Sequence, residues 1–171
     1  MNYTCINIQG NLISEEVLKK IEQGESPGQA PRDFGQDSAT ALRNEMEYAW
    51  SRLKLDWKYF TGKSNPLPAG DLYGTTLTRK WMTSFFNALG FILAPRKSAL
   101  TGGNNQSYNI SHVAENLDDL PIHIVGFHDP SNPDKNTIDI RSSGGTSRLS
   151  PHATVQEYLN VTEHLYGIAT N

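Results

Sequence analysis

Apolar residues recur along this chain with two periods, which divide it into helical and extended stretches. Leu42, Met46, Ala49, Trp50, Leu53, Trp57 and Phe60 fall three or four apart, the stripe of an amphipathic helix, and Ser38 stands where its cap belongs. A second helix is predicted over roughly Thr76 to Leu89, with Trp81, Phe85, Ala88 and Leu89 on one face and Gly90 placed to end it. Upstream, Ser14 caps a short helix whose first turn carries Glu15 and Glu16 and whose stripe is Val17, Leu18 and Ile21. Ser150 and Pro151 open a last helix, with Val155, Tyr158, Leu159 and Thr162 turned one way. Strands are predicted at Tyr3–Ile8, Phe91–Ala94 (stopped by Pro95), Ser107–Ala114 and Pro121–Phe127, with the beginning of another at Leu165–Thr170. Glycine and proline mark Gly24–Gly35 and Gly62–Gly74 as connections and Thr101–Gln106 as a turn. The polar tract Asp129–Arg148 is read as loop, with a short strand at Thr137–Ile140.

Helix, then two or three strands, then helix and strand implies an α/β fold, a mixed central sheet flanked by helices. Residues 1–36 form an N-terminal strand, short helix and loop, and 37–171 the α/β core, within one domain overall. Because the chain stops inside a β pattern at Asn171, the sheet is expected to continue in a longer polypeptide or across a split gene.

Charge narrows the functions open to such a domain. The formal net charge is −3, so the basic excess of a self-sufficient DNA binder is missing, and any DNA contact needs a local patch. Arg79, Lys80, Arg96, Lys97, Arg141 and Arg148 are the candidates, against the alternative of scattered solubilising charge. Cys5 is the single cysteine, which excludes an internal disulfide and a cysteine-based zinc site and suits a reducing cytoplasm. The first residues have no basic start and no long apolar run, so neither a signal peptide nor a membrane anchor is expected.

The candidate chemistry lies in the histidines and in one acidic turn. His112 and His123, if on one face of paired strands, would approach each other, and His128 with Asp129 could complete a metal site; otherwise His112, His123, His128, His152 and His164 are separate packed or surface groups. Glu115, Asp118 and Asp119 could hold a metal, or merely form the polar turn before a strand. Gly102-Gly103 and Gly144-Gly145 lack the Lys-Ser/Thr ending of a phosphate loop.

The stretch Arg148–Asn171 carries a resemblance. Its Ser150, Pro151, His152, Val155, Gln156, Glu157, Tyr158, Leu159 and Asn160, followed by His164, Leu165, Tyr166, Gly167, Thr170 and Asn171, are similar to a segment in the amino-terminal regions of large restriction–modification and phage-defence DNA methyltransferases, including the fused restriction–methylation type. Ser107-Tyr108 with Ile110-Ser111-His112, Pro121–Gly126 and the opening Asn2–Gly10 resemble other strands of that group. The resemblance implies a restriction-endonuclease-like, PD-(D/E)XK core. In active members an acid on one strand and an acid-x-Lys on the next hold magnesium, which activates water and stabilises the phosphoryl transition state. Here the strand Ile122–Phe127 contains neither acid nor lysine, and His123 occupies the place of the acid. A degenerate site is therefore expected, with Glu115, Asp118, Asp119 and His123 as the only catalytic candidates and magnesium as the cofactor of that alternative. Asn65-Pro66-Leu67-Pro68 lacks the Pro-Pro-aromatic pattern of an amino-methylating enzyme, so S-adenosylmethionine would belong to the remainder of the parent polypeptide. The resulting expectation is an accessory domain without its own catalysis, partnered by DNA or by other subunits of a defence system; a divergent magnesium-dependent endonuclease and a free-standing interaction module are the alternatives.

Overall fold

The computed structural model describes residues 13–141 and 148–171, and the predicted strand Tyr3–Ile8 lies outside them. The chain divides into two compact units, residues 1–51 and 52–171. In the first, Ser14 caps α1 (Glu15–Glu22), its hydroxyl accepting the Val17 N–H at 3.3 Å. The predicted connection Gly24–Gly35 contains one 3-10 turn, Pro31–Phe34, because Pro31 presets the backbone and Gly35 closes the turn in the left-handed region. Ser38 caps α2 (Ala39–Ser64) through the Ala41 N–H, as its position predicts.

The second unit begins within α2. That helix runs two residues past Gly62, further than predicted, with Thr61 and Ser64 hydroxyls bonded back to carbonyls of its last turns until Pro66 bars continuation. Phe60 is buried in an aromatic group with Trp57, Trp81 and Phe127, at centroid distances of 5.2, 6.4 and 5.3 Å. Helix α3 (Thr75–Ala88) is capped from a distance: both Asp71 carboxylate oxygens accept backbone N–H groups, from Thr76 at 3.2 Å and Leu77 at 3.0 Å. Gly90, with φ of 84°, ends the helical stretch as predicted.

A four-stranded mixed sheet follows, made of β1 (Leu93–Pro95), β4 (His112–Ala114), β5 (Leu120–Ile124) and β6 (Ile168–Thr170) in that spatial order. The first three are antiparallel neighbours and β6 runs parallel to β5, after α4 (Pro151–Asn160). Alternation along β5 sends Leu120, Ile122 and Ile124 to one face, where they pack with Ala114, Ile168 and the α3 residues Met82, Phe85 and Phe86. Pro121 lies on the other face, near Val155 of α4: a Cβ on Gly167 would sit 2.7 Å from Val155 and 3.4 Å from Pro121. A separate hairpin, β2 (Leu100–Thr101) and β3 (Ser107–Tyr108), packs Tyr108 and Ile110 against Tyr158 of α4.

Five extended stretches differ from their predicted form, Leu165–Thr170 by forming a strand only over Ile168–Thr170. Ser107–Ala114 is two strands in two sheets, because Ile110 turns into the Tyr158 cluster and bonds back to the Tyr108 carbonyl at 2.8 Å. The strand predicted at Phe91–Ala94 is shifted to end on Pro95, which an edge strand tolerates without its N–H. The strand predicted to reach Phe127 stops at Ile124, since Gly126 runs against the Tyr73 backbone, where any Cβ would collide with that carbonyl oxygen. Residues 137–140 are a turn rather than a strand: the Asn136 side chain accepts the Ile138 N–H, and the Thr137 hydroxyl is spent on Gly126. Among the described residues no helix is long and apolar enough to cross a membrane.

Candidate functional site at the carboxyl end of the sheet

Parallel pairing brings the carboxyl ends of β5 and β6 to the same end of the sheet as the start of β4 and the end of β1. Ser111, one residue before β4, is the hub of a polar cluster there. Its hydroxyl accepts the Ile124 N–H at 2.8 Å, closing the ladder where regular pairing has ended. The same hydroxyl donates to the Ile122 carbonyl at 3.3 Å, and its oxygen lies 2.8 Å from His112 Nδ1, which donates or accepts there according to its tautomer. The Ser111 N–H donates to His123 Nδ1 at 3.3 Å, and its carbonyl accepts the Arg96 N–H at 2.8 Å. Arg79, one turn into α3, donates from Nε to the Ile124 carbonyl at 3.4 Å.

The register pairs His112 with Ile122, not with His123, so the two rings start from opposite faces and meet only through Ser111. Burial pushes the His112 imidazole below its ordinary range, and the Arg79 guanidinium adds to the effect. His123 is pushed down to about 4 by burial, then by Arg79 and His112. Both rings are therefore neutral at physiological pH. Because His123 Nδ1 accepts a backbone N–H, its ring proton resides on Nε2. A Ser–His contact of 2.8 Å has the outline of a nucleophile and its base, but the Ser111 oxygen is committed to the ladder, and Arg79 penalises the imidazolium that a general base must become.

The acidic candidates are elsewhere. Glu115 is exposed in the 3-10 turn Glu115–Leu117, and Asp118 and Asp119 follow with φ of 54° and 52°, all before β5 begins. Asp118 and Asp119 share a cleft of about 320 Å³ with Thr162, Glu163 and His164. From Asp119 to His123 is four residues of strand, roughly 13 Å at the usual rise, whereas magnesium ligands lie about 2 Å from their ion. The acids and His123 thus cannot share one metal. Among the described residues no three of His, Cys, Asp and Glu are grouped closely enough to hold one.

The other expected residues are dispersed. Lys80 sits over the Tyr59 ring at 4.2 Å, whereas Lys97 is exposed beside Arg96. Arg141 and Arg148 are exposed on either side of residues 142–147, which lie outside the description. His128 is half-buried beside Phe127, and Asp129 is buried, accepting the Ser131 N–H. On α4, His152 is exposed 3.8 Å from Asp139, and Gln156 and Asn160 face solvent. Glu157 accepts from the Tyr108 hydroxyl at 3.3 Å, and Tyr158 is buried against Tyr108 and His164. Burial, then Asp119, raises the Tyr158 phenol, against the pull of Arg96. Glu157 and Tyr158 knit α4 to the hairpin.

Ser111 is the one member of the cluster that sequence reasoning assigned no site role. Its signal was a Ser-His pair at the head of an apolar strand. Comparison with protein-family models, curated proteins and solved structures finds no match for the chain.

Proposed function

We propose that this chain is an accessory, restriction-endonuclease-like domain of a restriction–modification or phage-defence DNA methyltransferase, engaging DNA without cutting it. The observation that carries the reading is the separation of its chemistry: Glu115, Asp118 and Asp119 lie before β5, and Arg79, Arg96, His112 and His123 at its far end. Phosphodiester hydrolysis by this fold needs converging acids and a lysine around a metal. Here β5 presents His123 between Ile122 and Ile124, with Val125 two residues after it. The order α3, three antiparallel strands, α4 and a parallel strand supports the nuclease-like reading, as does the resemblance across Arg148–Asn171. Methyl transfer, and with it S-adenosylmethionine, is assigned to the remainder of a longer cytoplasmic polypeptide.

The test is a plasmid assay beside a binding assay. Purified protein is expected to leave supercoiled and linear DNA intact with magnesium or manganese, and to bind a duplex with an affinity that falls steeply with salt. Cleavage that disappears in the Asp118→Ala, Asp119→Ala double variant would overturn the reading in favour of a metal-dependent nuclease.

A further inference from the structure

The cluster around Ser111 offers donors outward. His123 accepts the Ser111 N–H on Nδ1, so its Nε2 carries hydrogen, and that atom has no protein partner among the described residues. The single buried side-chain polar atom without a partner among those residues is Asp56 Oδ2, so Nε2 of His123 reaches solvent. Arg79 is exposed and spends only Nε on the Ile124 carbonyl; its two terminal nitrogens have no partner among the described residues. Neither Arg79 nor Arg96 has a carboxylate within ion-pair distance there, the ion pairs being Lys20–Glu16 and His152–Asp139. His112, only 6% exposed, is fixed behind them by Ser111. Charge without a counter-ion, beside a neutral ring with a fixed outward N–H, repels a cation and suits an oxyanion.

We propose that Arg79 and His123 form a phosphate-binding site at the carboxyl end of β5, the guanidinium and the Nε2–H holding oxygens of one phosphate group. The same chemistry serves a backbone phosphodiester of DNA or the phosphate of a free ligand. The DNA source rests on the function proposed above; the site itself does not. A metal would need unprotonated ring nitrogens and no neighbouring cation. Phosphate needs donors and positive charge, and these are what Ser111 and Arg79 arrange.

Two variants separate the site from its scaffold. His123→Asn keeps an oxygen near the Nδ1 position to accept the Ser111 N–H, but deletes the outward N–H. Arg79→Gln removes the charge from an exposed position. Inorganic phosphate, titrated into wild-type protein and followed by imidazole nitrogen NMR, is expected to shift His123 Nε2 with little change at Nδ1. Each variant is expected to weaken phosphate binding on the order of tenfold, the usual loss for a hydrogen bond to a charged group. An unmoved Nε2 at millimolar phosphate, or undiminished binding in folded His123→Asn, overturns the site. The wild-type titration decides alone if a variant fails to fold. Duplex DNA bound equally by wild type and both variants, together with undiminished phosphate binding in them, sinks the site and spares the DNA reading. Phosphate bound at His123 without any DNA binding sustains the site and sinks the DNA reading.

Discussion

A single hydroxyl decides how the polar residues at the sheet end behave. Ser111 supplies an acceptor to Ile124 where β4 has ended, and its backbone fixes the His123 ring in one tautomer. Burial of that ring makes stability depend on pH. An unfolded His123 takes up its proton near pH 6.5, whereas the folded ring resists until about pH 4. Between those values the unfolded chain binds more protons, so stability falls as pH falls. His112, also lowered, adds in the same direction. Chemical denaturation at pH 7 and at pH 4.5 is expected to show a loss at the lower pH that shrinks in His123→Asn, which has nothing to titrate. An equal loss in the variant would mean that His123 is not the group responsible.

At the scale of elements, local chemistry and distant contacts share the work unequally. The caps of α1, α2 and α4 come from the serine immediately before each helix, and each bonds to the third residue on. Helix α3 instead borrows Asp71, which reaches across the Gly74 turn to two of its first amides. Asp71→Ala is expected to cost about 1–2 kcal/mol, the usual range for a lost cap, and Asp71→Asn less, because one oxygen remains. Urea denaturation of the three proteins measures this; an unchanged midpoint in Asp71→Ala would show that the cap is dispensable. The strands are short, with β1 and β4 three residues each. Their positions follow from what each face must bury, which is why Ile110 leaves the sheet for the Tyr158 cluster although Ser107–Ala114 alternates like one strand.

For the whole molecule, the net charge of −3 hides an uneven arrangement. Arg79 and Arg96 stand at one end of the sheet, and Asp118, Asp119 and Glu163 border a cleft at the other end of β5. If DNA lies against the basic end, each arginine on a phosphate displaces counterions and contributes about 0.9 to the slope of log affinity against log salt. Arg96→Gln is expected to flatten that slope by about this amount; an unaltered slope would remove Arg96 from the contact surface.

Taken by itself, the sequence determined those features set by neighbours within a turn or two. These are the helices α2, α3 and α4, the serine caps, the Gly90 stop and the apolar alternation of β5. It also showed that Ile122–Phe127 contains neither an acid nor a lysine. Tertiary structure alone decided the break after Tyr108, the turn at residues 137–140, and the meeting of Arg79, Ser111, His112 and His123. Arg79 and the carbonyl it reaches are 45 residues apart, and Ser111 and His123 are 12 apart. No periodicity encodes such distances. They arise because pairing β4 with β5, and laying α3 over their apolar face, leaves Ser111 as the nearest group able to complete the ladder.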